Sequence, residues 1–189
     1  MANQRIGELL GRLPLIGRQS HMAAVTENNT HDTDFDVMRV AIETEDRLHA
    51  MIDSFELAGA RLYGVNIGDG IESHLVPCYL AQHPDVYELL QAPGSSLARM
   101  FHAAAIVTTG WAAPLDTDGR VHGAPSEHSQ RRRVRLTVLV ANSGIASVLR
   151  FADAPDDVVT DPGSATGSLA EAINQFWFDP PVGQGAGRM

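Results

Sequence analysis

The stretch that decides the fold is RRVRLTVLVANSGIASVLRF, residues 132–151. Val, Leu and Ile dominate both halves, and the short polar segment 142–144 separates them, which predicts strands over 132–141 and 145–151 joined as a hairpin. Because side chains alternate between the two faces of a strand, Val134 and Leu136 lie on one face and Arg133 and Arg135 on the other. The pattern predicts an antiparallel sheet with one face in the core and one wetter face.

The turn decides which residues of the hairpin lie opposite one another. A two-residue turn over Ser143 and Gly144 places Thr137 opposite Arg150. A three-residue turn would place Leu136 opposite Arg150, which is unfavourable because it puts a charge over the core. Matching of apolar residues therefore predicts the first register. In that register three arginines share the wetter face, namely Arg133, Arg135 and Arg150.

This arginine face has two interpretations. In the first it is a solvated sheet face that acids of the flanking loops neutralise, the candidates being Asp116, Asp118, Glu127, Asp153, Asp156 and Asp157. In the second it binds a phosphate or carboxylate, because guanidinium groups make strong paired hydrogen bonds to such anions. The candidate anion-binding residues are then Arg133, Arg135 and Arg150, with His128 from the long predicted loop 114–130.

Periodicity and capping residues predict the remaining elements. A helix is expected over 44–58, with Thr44 as N-cap, an apolar face that includes Leu48, Ile52 and Phe55, and Gly59 at its end. Strands are expected over 60–67, 73–81 and 103–113, short helical pieces between 84 and 101, and a last helix from Ser168 that Glu171 helps to cap. Residues 152–166 are acidic and rich in Gly and Ser, which predicts a loop.

These elements define an α+β protein. We expect a mostly antiparallel sheet of four or five strands packed by helices, with the element order α-β-β-α-β-β-β-α. Residues 35–178 form a single domain in this interpretation. Residues 1–34 are predicted to be a flexible N-terminal extension and residues 179–189 a disordered tail, because both are poor in periodic apolar residues.

Composition excludes several classes of protein. The 189 residues carry 23 acidic and 14 basic side chains, for a net charge of −9, so the chain as a whole is not expected to bind nucleic acid. No run reaches the ~20 apolar residues of a membrane span. Cys78 is the single cysteine, which excludes an internal disulfide and favours a cytoplasmic location.

Catalytic and metal-binding patterns are weak. Ser126, Glu127 and His128 are the residue types of a catalytic triad, but adjacent residues rarely point towards one another, and the nucleophile-elbow motif is absent from the sequence. His122 and His128 with Asp116 would need a rigid loop to hold a metal ion. We therefore expect no cofactor, no metal site and no catalytic residues.

The second half of the chain resembles small α/β proteins of actinobacteria and their phages that have no assigned activity. The resemblance covers roughly residues 60–177, and four segments carry it, namely GWAAP at 110–114, PSEH at 125–128, RRRVR at 131–135 and TDPG at 160–163. It implies a high-GC bacterial or phage source, with which the exclusive use of Arg as basic residue agrees. It implies no catalytic residues.

The sequence thus favours a cytoplasmic, non-enzymatic binding or regulatory protein. Its partner would be another protein or a second copy of the same chain. The alternative is an enzyme or sensor that binds a small anionic ligand on the arginine face. A binding protein should expose an apolar patch, whereas an enzyme should hold its arginines in a deep pocket.

Overall fold

The computed structural model describes residues 36–52, 55–68, 75–114, 124–161 and 168–178. The predicted N-terminal extension, 1–34, and the predicted tail, 179–189, lie outside these residues. Most of the predicted loop 114–130 also lies outside them, and so does the segment 162–167. The first half of the chain from residue 36 and the arginine hairpin are therefore on view, together with the last helix.

Nine helices and strands occur in the described part of the chain. In order they are α1 (Val37–Met51), β1 (Ala60–Ile67), β2 (Leu75–His83), α2 (Val86–Gln91), β3 (Ala103–Ala112), β4 (Arg132–Ala141), β5 (Gly144–Phe151), β6 (Ala154–Asp161) and α3 (Ser168–Phe178). Two 3-10 segments, Pro93–Met100 and Pro125–Glu127, connect them. In the described residues, no helix is both long and apolar enough to cross a membrane.

The strands form one antiparallel sheet of six, in the order β2-β1-β3-β4-β5-β6. The predicted α+β class is confirmed, but the predicted four or five strands and the predicted element order are wrong. The missing strand is β6, which falls in the segment predicted as a loop. Its Asp156 and Asp157 are tolerated because β6 is an edge strand, where charged side chains remain in water.

Helix α1 begins and ends one to two turns earlier than predicted. Asp36 caps it by accepting hydrogen bonds from the backbone N–H groups of Met38 and Arg39, each at 3.1 Å. The N–H of Ile52 closes the other end by donating to Leu48 at 2.7 Å. Thr44, the predicted N-cap, is therefore a buried residue in the middle of the helix.

The hairpin of β4 and β5 has a different register from the predicted one. Ala141 pairs with Gly144, so the two-residue turn consists of Asn142 and Ser143. Gly144 has a φ of 142°, a conformation that residues with a Cβ rarely adopt. The register differs from the predicted one by two residues, which leaves every side chain on its predicted face but places Arg135 directly opposite Arg150.

Both faces of the sheet are covered by helices. Helix α1 packs on one face, here called the α1 face, against residues of five strands that include Tyr63, Val107, Leu139 and Val148. Helices α2 and α3 and the segment Pro93–Met100 pack on the other, here called the α3 face. The arginines of the hairpin lie on the α1 face, so the prediction that this face is the wetter one is wrong because α1 covers it.

Candidate functional site

The strongest polar constellation in the described residues lies between α1 and the hairpin. We call it the Glu45 cluster, and it consists of Glu45 and Asp46 from α1, Arg135 and Thr137 from β4, and Arg150 from β5. Glu45 and Arg135 are 0% exposed and Arg150 is 4% exposed. A buried cluster of four charges requires close pairing, because charges removed from water are costly unless hydrogen bonds replace the lost hydration.

One carboxylate organises this cluster. Oε1 of Glu45 accepts hydrogen bonds from Nε and Nη2 of Arg135 at 3.1 and 2.7 Å, and from Nε of Arg150 at 3.0 Å. Oε2 of the same carboxylate accepts from the hydroxyl of Thr137. Asp46 accepts from Nη2 of Arg150. Two guanidinium groups are thus balanced by two carboxylates, which explains how like charges can lie directly opposite each other in the hairpin.

The cluster also holds the end of α1 against the sheet. Nη1 of Arg135 donates to the carbonyl oxygen of Ile52 at 2.8 Å, at the C-terminus of the helix, where the backbone carbonyls favour a cation. The guanidinium group of Arg135 also lies over the ring of Phe55, 5.2 Å from its centroid. Every polar direction of Arg135 that these contacts describe points to the protein itself.

The other predicted anion-binding residues lie at the end of β4. Arg133 donates from Nε to the carbonyl oxygen of Phe55 at 2.8 Å, and its guanidinium group lies 5.2 Å from the ring centroid of Trp111. His128 follows the segment Pro125–Glu127, and its Nδ1 accepts from the backbone of Gln130 at 3.0 Å. The structure therefore brings together Arg135 and Arg150, and it places Arg133 and His128 in separate contacts.

Three of the four segments that carry the resemblance meet at this end of the sheet. Arg131 and Arg133 lie over Trp111 at 5.0 and 5.2 Å from its ring centroid. Nη1 of Arg131 donates to the carbonyl oxygen of Ser126 at 2.8 Å. The shared pattern thus corresponds to one packed corner, in which cations lie against an aromatic ring and the 125–127 segment is fixed by an arginine.

Of the six acids predicted to neutralise the arginines, Asp153 is the one with an arginine contact in the described residues. Arg132 donates from Nη2 to Asp153 at 2.7 Å and from Nε to both of its carboxylate oxygens. This hydrogen bonding lowers the pKa of Asp153 below its ordinary value. Asp116 and Asp118 lie outside the described residues.

Sequence reasoning missed Glu45 because the helix was predicted to start at Thr44. An acid in the first turn is normally solvated and favoured by the helix dipole, so Glu45 gave no signal of burial. With the observed start, spacings of three and four residues place Glu45 on the buried side of α1. The members of that series are Val37, Ala41, Glu45, Leu48 and Ile52.

A second candidate site lies at the β2 end of the sheet. Four large apolar side chains there are exposed, namely Val76 (51%), Tyr79 (57%), Leu97 (51%) and Met100 (80%). Strand β2 contains no Asp, Glu, Arg or Lys, and neither does the stretch 92–98. We call this surface the uncharged end. Large apolar groups that are exposed next to an edge strand are typical of interaction surfaces.

The 3-10 geometry of Pro93–Met100 explains this exposure. With three residues per turn, positions three apart are eclipsed and form columns along the helix. Ser95 and Ala98 make one column and are buried against the sheet. Leu97 and Met100 make another and protrude together as a ridge, while Arg99 points to α3 and donates to the carbonyl oxygen of Phe176 at 3.1 Å.

Comparison with known proteins adds no family. No family model matches the sequence, and searches of curated proteins and of solved structures gave no match. The functional argument therefore rests on the two candidate sites, the Glu45 cluster and the uncharged end.

Proposed function

We propose that the protein is a cytoplasmic, non-enzymatic binding module that recognises a protein partner through the uncharged end. The observation that carries this proposal is the exposure of Val76, Tyr79, Leu97 and Met100 on a surface without formal charges. Apolar side chains gain most from association when they are solvent-exposed in the free protein. Aromatic residues and Met are also enriched where protein interfaces form.

The state of the arginines supports this proposal over the alternative. An enzyme or sensor that used Arg135 and Arg150 for a small anion would need their donors to be accessible. Both guanidinium groups are instead buried and hydrogen-bonded to Glu45, which occupies the position of a bound carboxylate. An external anion would have to displace Glu45 and with it α1, so the geometry favours a structural role for these two residues.

Site-specific photo-crosslinking tests the proposal. A photoreactive amino acid is placed at position 97 in the uncharged end, and the same amino acid at position 159 serves as the matched control. Val159 is also an exposed apolar residue, but it lies on β6, next to Asp157. After irradiation in the native host cells, adducts are identified by mass spectrometry.

The expected result is a discrete polypeptide adduct from position 97 that position 159 does not give. Equal labelling at both positions would show that position 97 is merely exposed. Absence of any adduct from position 97, with the protein folded, would contradict the proposed binding surface.

A further inference from the structure

We infer that the partner at the uncharged end is a second copy of this chain, which forms a two-fold symmetric dimer. This inference rests on the proposed function and names its partner. The contact consists of the ridge of Leu97 and Met100 from each copy, packed over the outer part of β2 of the other. Three features of the described residues lead to it, which are charge, shape and the irregularity of β2.

Charge restricts where two copies can meet. The chain has a net charge of −9, so two copies repel each other wherever their acidic surfaces face. The opposite edge of the sheet, β6, presents exposed Asp156 and Asp157 and would place like charges together. The uncharged end has no such cost. An uncharged apolar surface is also complementary to itself, which a symmetric interface requires because the same patch is used by both copies.

Shape supplies the two halves of the contact. The ring of Phe101 lies directly on Gly64, where it leaves no room for a Cβ atom. Gly64 pairs with Cys78 in the neighbouring strand, and Val76 lies two residues away on the same face. The ridge of the 3-10 segment and the side chains of Val76 and Cys78 are therefore on one face of the sheet. A ridge beside a strand surface can interlock with its own two-fold copy, ridge on strand and strand on ridge.

The irregularity of β2 determines the kind of contact. Pro77 has no N–H to donate, and the pairing of β1 with β2 shifts register between Leu62 and Tyr63. A continuous backbone ladder between two β2 strands is therefore disfavoured. The contact is made by side chains, and it closes after two copies because the β6 edge cannot extend it.

Sedimentation equilibrium over a range of concentrations tests the inference on the full chain. We expect the wild type to reach twice the monomer mass, and Met100→Asp to raise the dimer Kd at least about tenfold, because dimerisation would bury an unpaired carboxylate. Met100 is 80% exposed, so the substitution should leave the melting temperature unchanged. Val159→Asp is the matched control, and it should leave the Kd unchanged.

The single cysteine gives an independent measurement. Cys78 lies in the inferred contact, so its alkylation by a maleimide should slow as the wild-type concentration rises through the Kd, and it should not depend on concentration in Met100→Asp. Val76→Asp provides a second variant in case Met100→Asp fails to fold. A wild type that stays monomeric at high concentration, or a dimer that neither substitution weakens, would overturn the inference.

The two proposals fail in different ways. A monomer that still crosslinks to another polypeptide from position 97 keeps the proposed function and overturns the second copy as partner. A monomer that gives no adduct from position 97 overturns both. A dimer in which position 97 crosslinks to the same chain supports both.

Discussion

Two guanidinium–carboxylate pairs on the same strand differ in almost nothing but their surroundings. Arg135 pairs with Glu45 and Arg132 pairs with Asp153, each with an N···O distance of 2.7 Å. The side chains of the first pair are 0% exposed, and those of the second are 42% and 60% exposed. Equal distances therefore do not indicate equal contributions to stability, because burial decides what replaces water around each charge.

The physical difference lies in the unpaired state. When the exposed pair separates, water solvates both groups and little free energy is lost, and salt screens what attraction exists. When the buried pair is broken, the remaining charge has no water and no partner. The buried pair makes the folded state depend on all its members being present, which is a property that substitutions can measure.

The largest effect is expected for Glu45→Ala. It leaves two buried guanidinium groups without their shared acceptor and should lower the free energy of unfolding by about 3–5 kcal/mol, measured by urea denaturation. Glu43→Ala is the matched control on the same helix, since Glu43 makes an exposed pair with Arg39 at 2.9 Å. The control should change stability by no more than about 0.5 kcal/mol. Similar losses in the two variants would remove the contrast.

Replacing the whole buried cluster should recover most of that loss. In Glu45→Leu with Arg135→Met and Arg150→Met, no buried charge remains without a partner, and apolar side chains of similar length fill the space. We expect the triple variant to be more stable than Glu45→Ala, measured in the same urea series. A triple variant less stable than Glu45→Ala would show that attraction within the cluster, rather than the cost of an unpaired charge, sets its importance.

A smaller effect is expected for Thr137→Val. The substitution conserves shape but removes the hydroxyl that donates to Oε2 of Glu45, so it should cost about 1–3 kcal/mol, the range for a buried group that loses its partner. Thermal and urea unfolding measure the change. Thr160→Val on β6, where the threonine is exposed, is the control and should be nearly neutral.

The smallest effect concerns the exposed pair and pH. Because Arg132 lowers the pKa of Asp153, the pair stabilises the fold above the ordinary aspartate pKa, and its contribution is lost as the pH falls through the lowered value. Arg132→Gln should raise the pKa of Asp153 towards its ordinary value, as measured by a carboxyl NMR titration. High salt should reduce the difference between wild type and Arg132→Gln. An unchanged titration midpoint would show that the pair does not form in solution.

The sequence predicted the faces of the hairpin but not its register, for a reason that lies in the period of a strand. A shift of two residues leaves each side chain on the same face, so alternation cannot distinguish the two registers. The choice lies in the turn, where Gly144 adopts positive φ next to the two-residue turn of Asn142 and Ser143. Apolar matching alone favoured the wrong pairing because Arg135 opposite Arg150 looked unfavourable without Glu45.

The β6 strand and the bounds of α1 were missed for related reasons. Asp156 and Asp157 disfavour a strand by propensity, yet β5 offers a free edge with which any extended segment can pair. The Asp36 cap lies in a polar region that has no period, so the start of α1 was placed two turns late. The exposed apolar ridge was also not predictable, since the 3-10 period of three residues differs from the α-helical period used to interpret 93–100.

The Glu45 cluster also imposes an order on synthesis. Glu45 contacts residues 90, 92 and 105 positions further along the chain. At about 5–20 residues per second, α1 leaves the ribosome roughly 5–20 s before Arg150 is made. During that interval the acid of the helix remains in water, and the hairpin, once made, holds two opposed arginines until the helix arrives. Docking of the first helix is thus a late event that completes the sheet, and the segment translated first is among the last to become native.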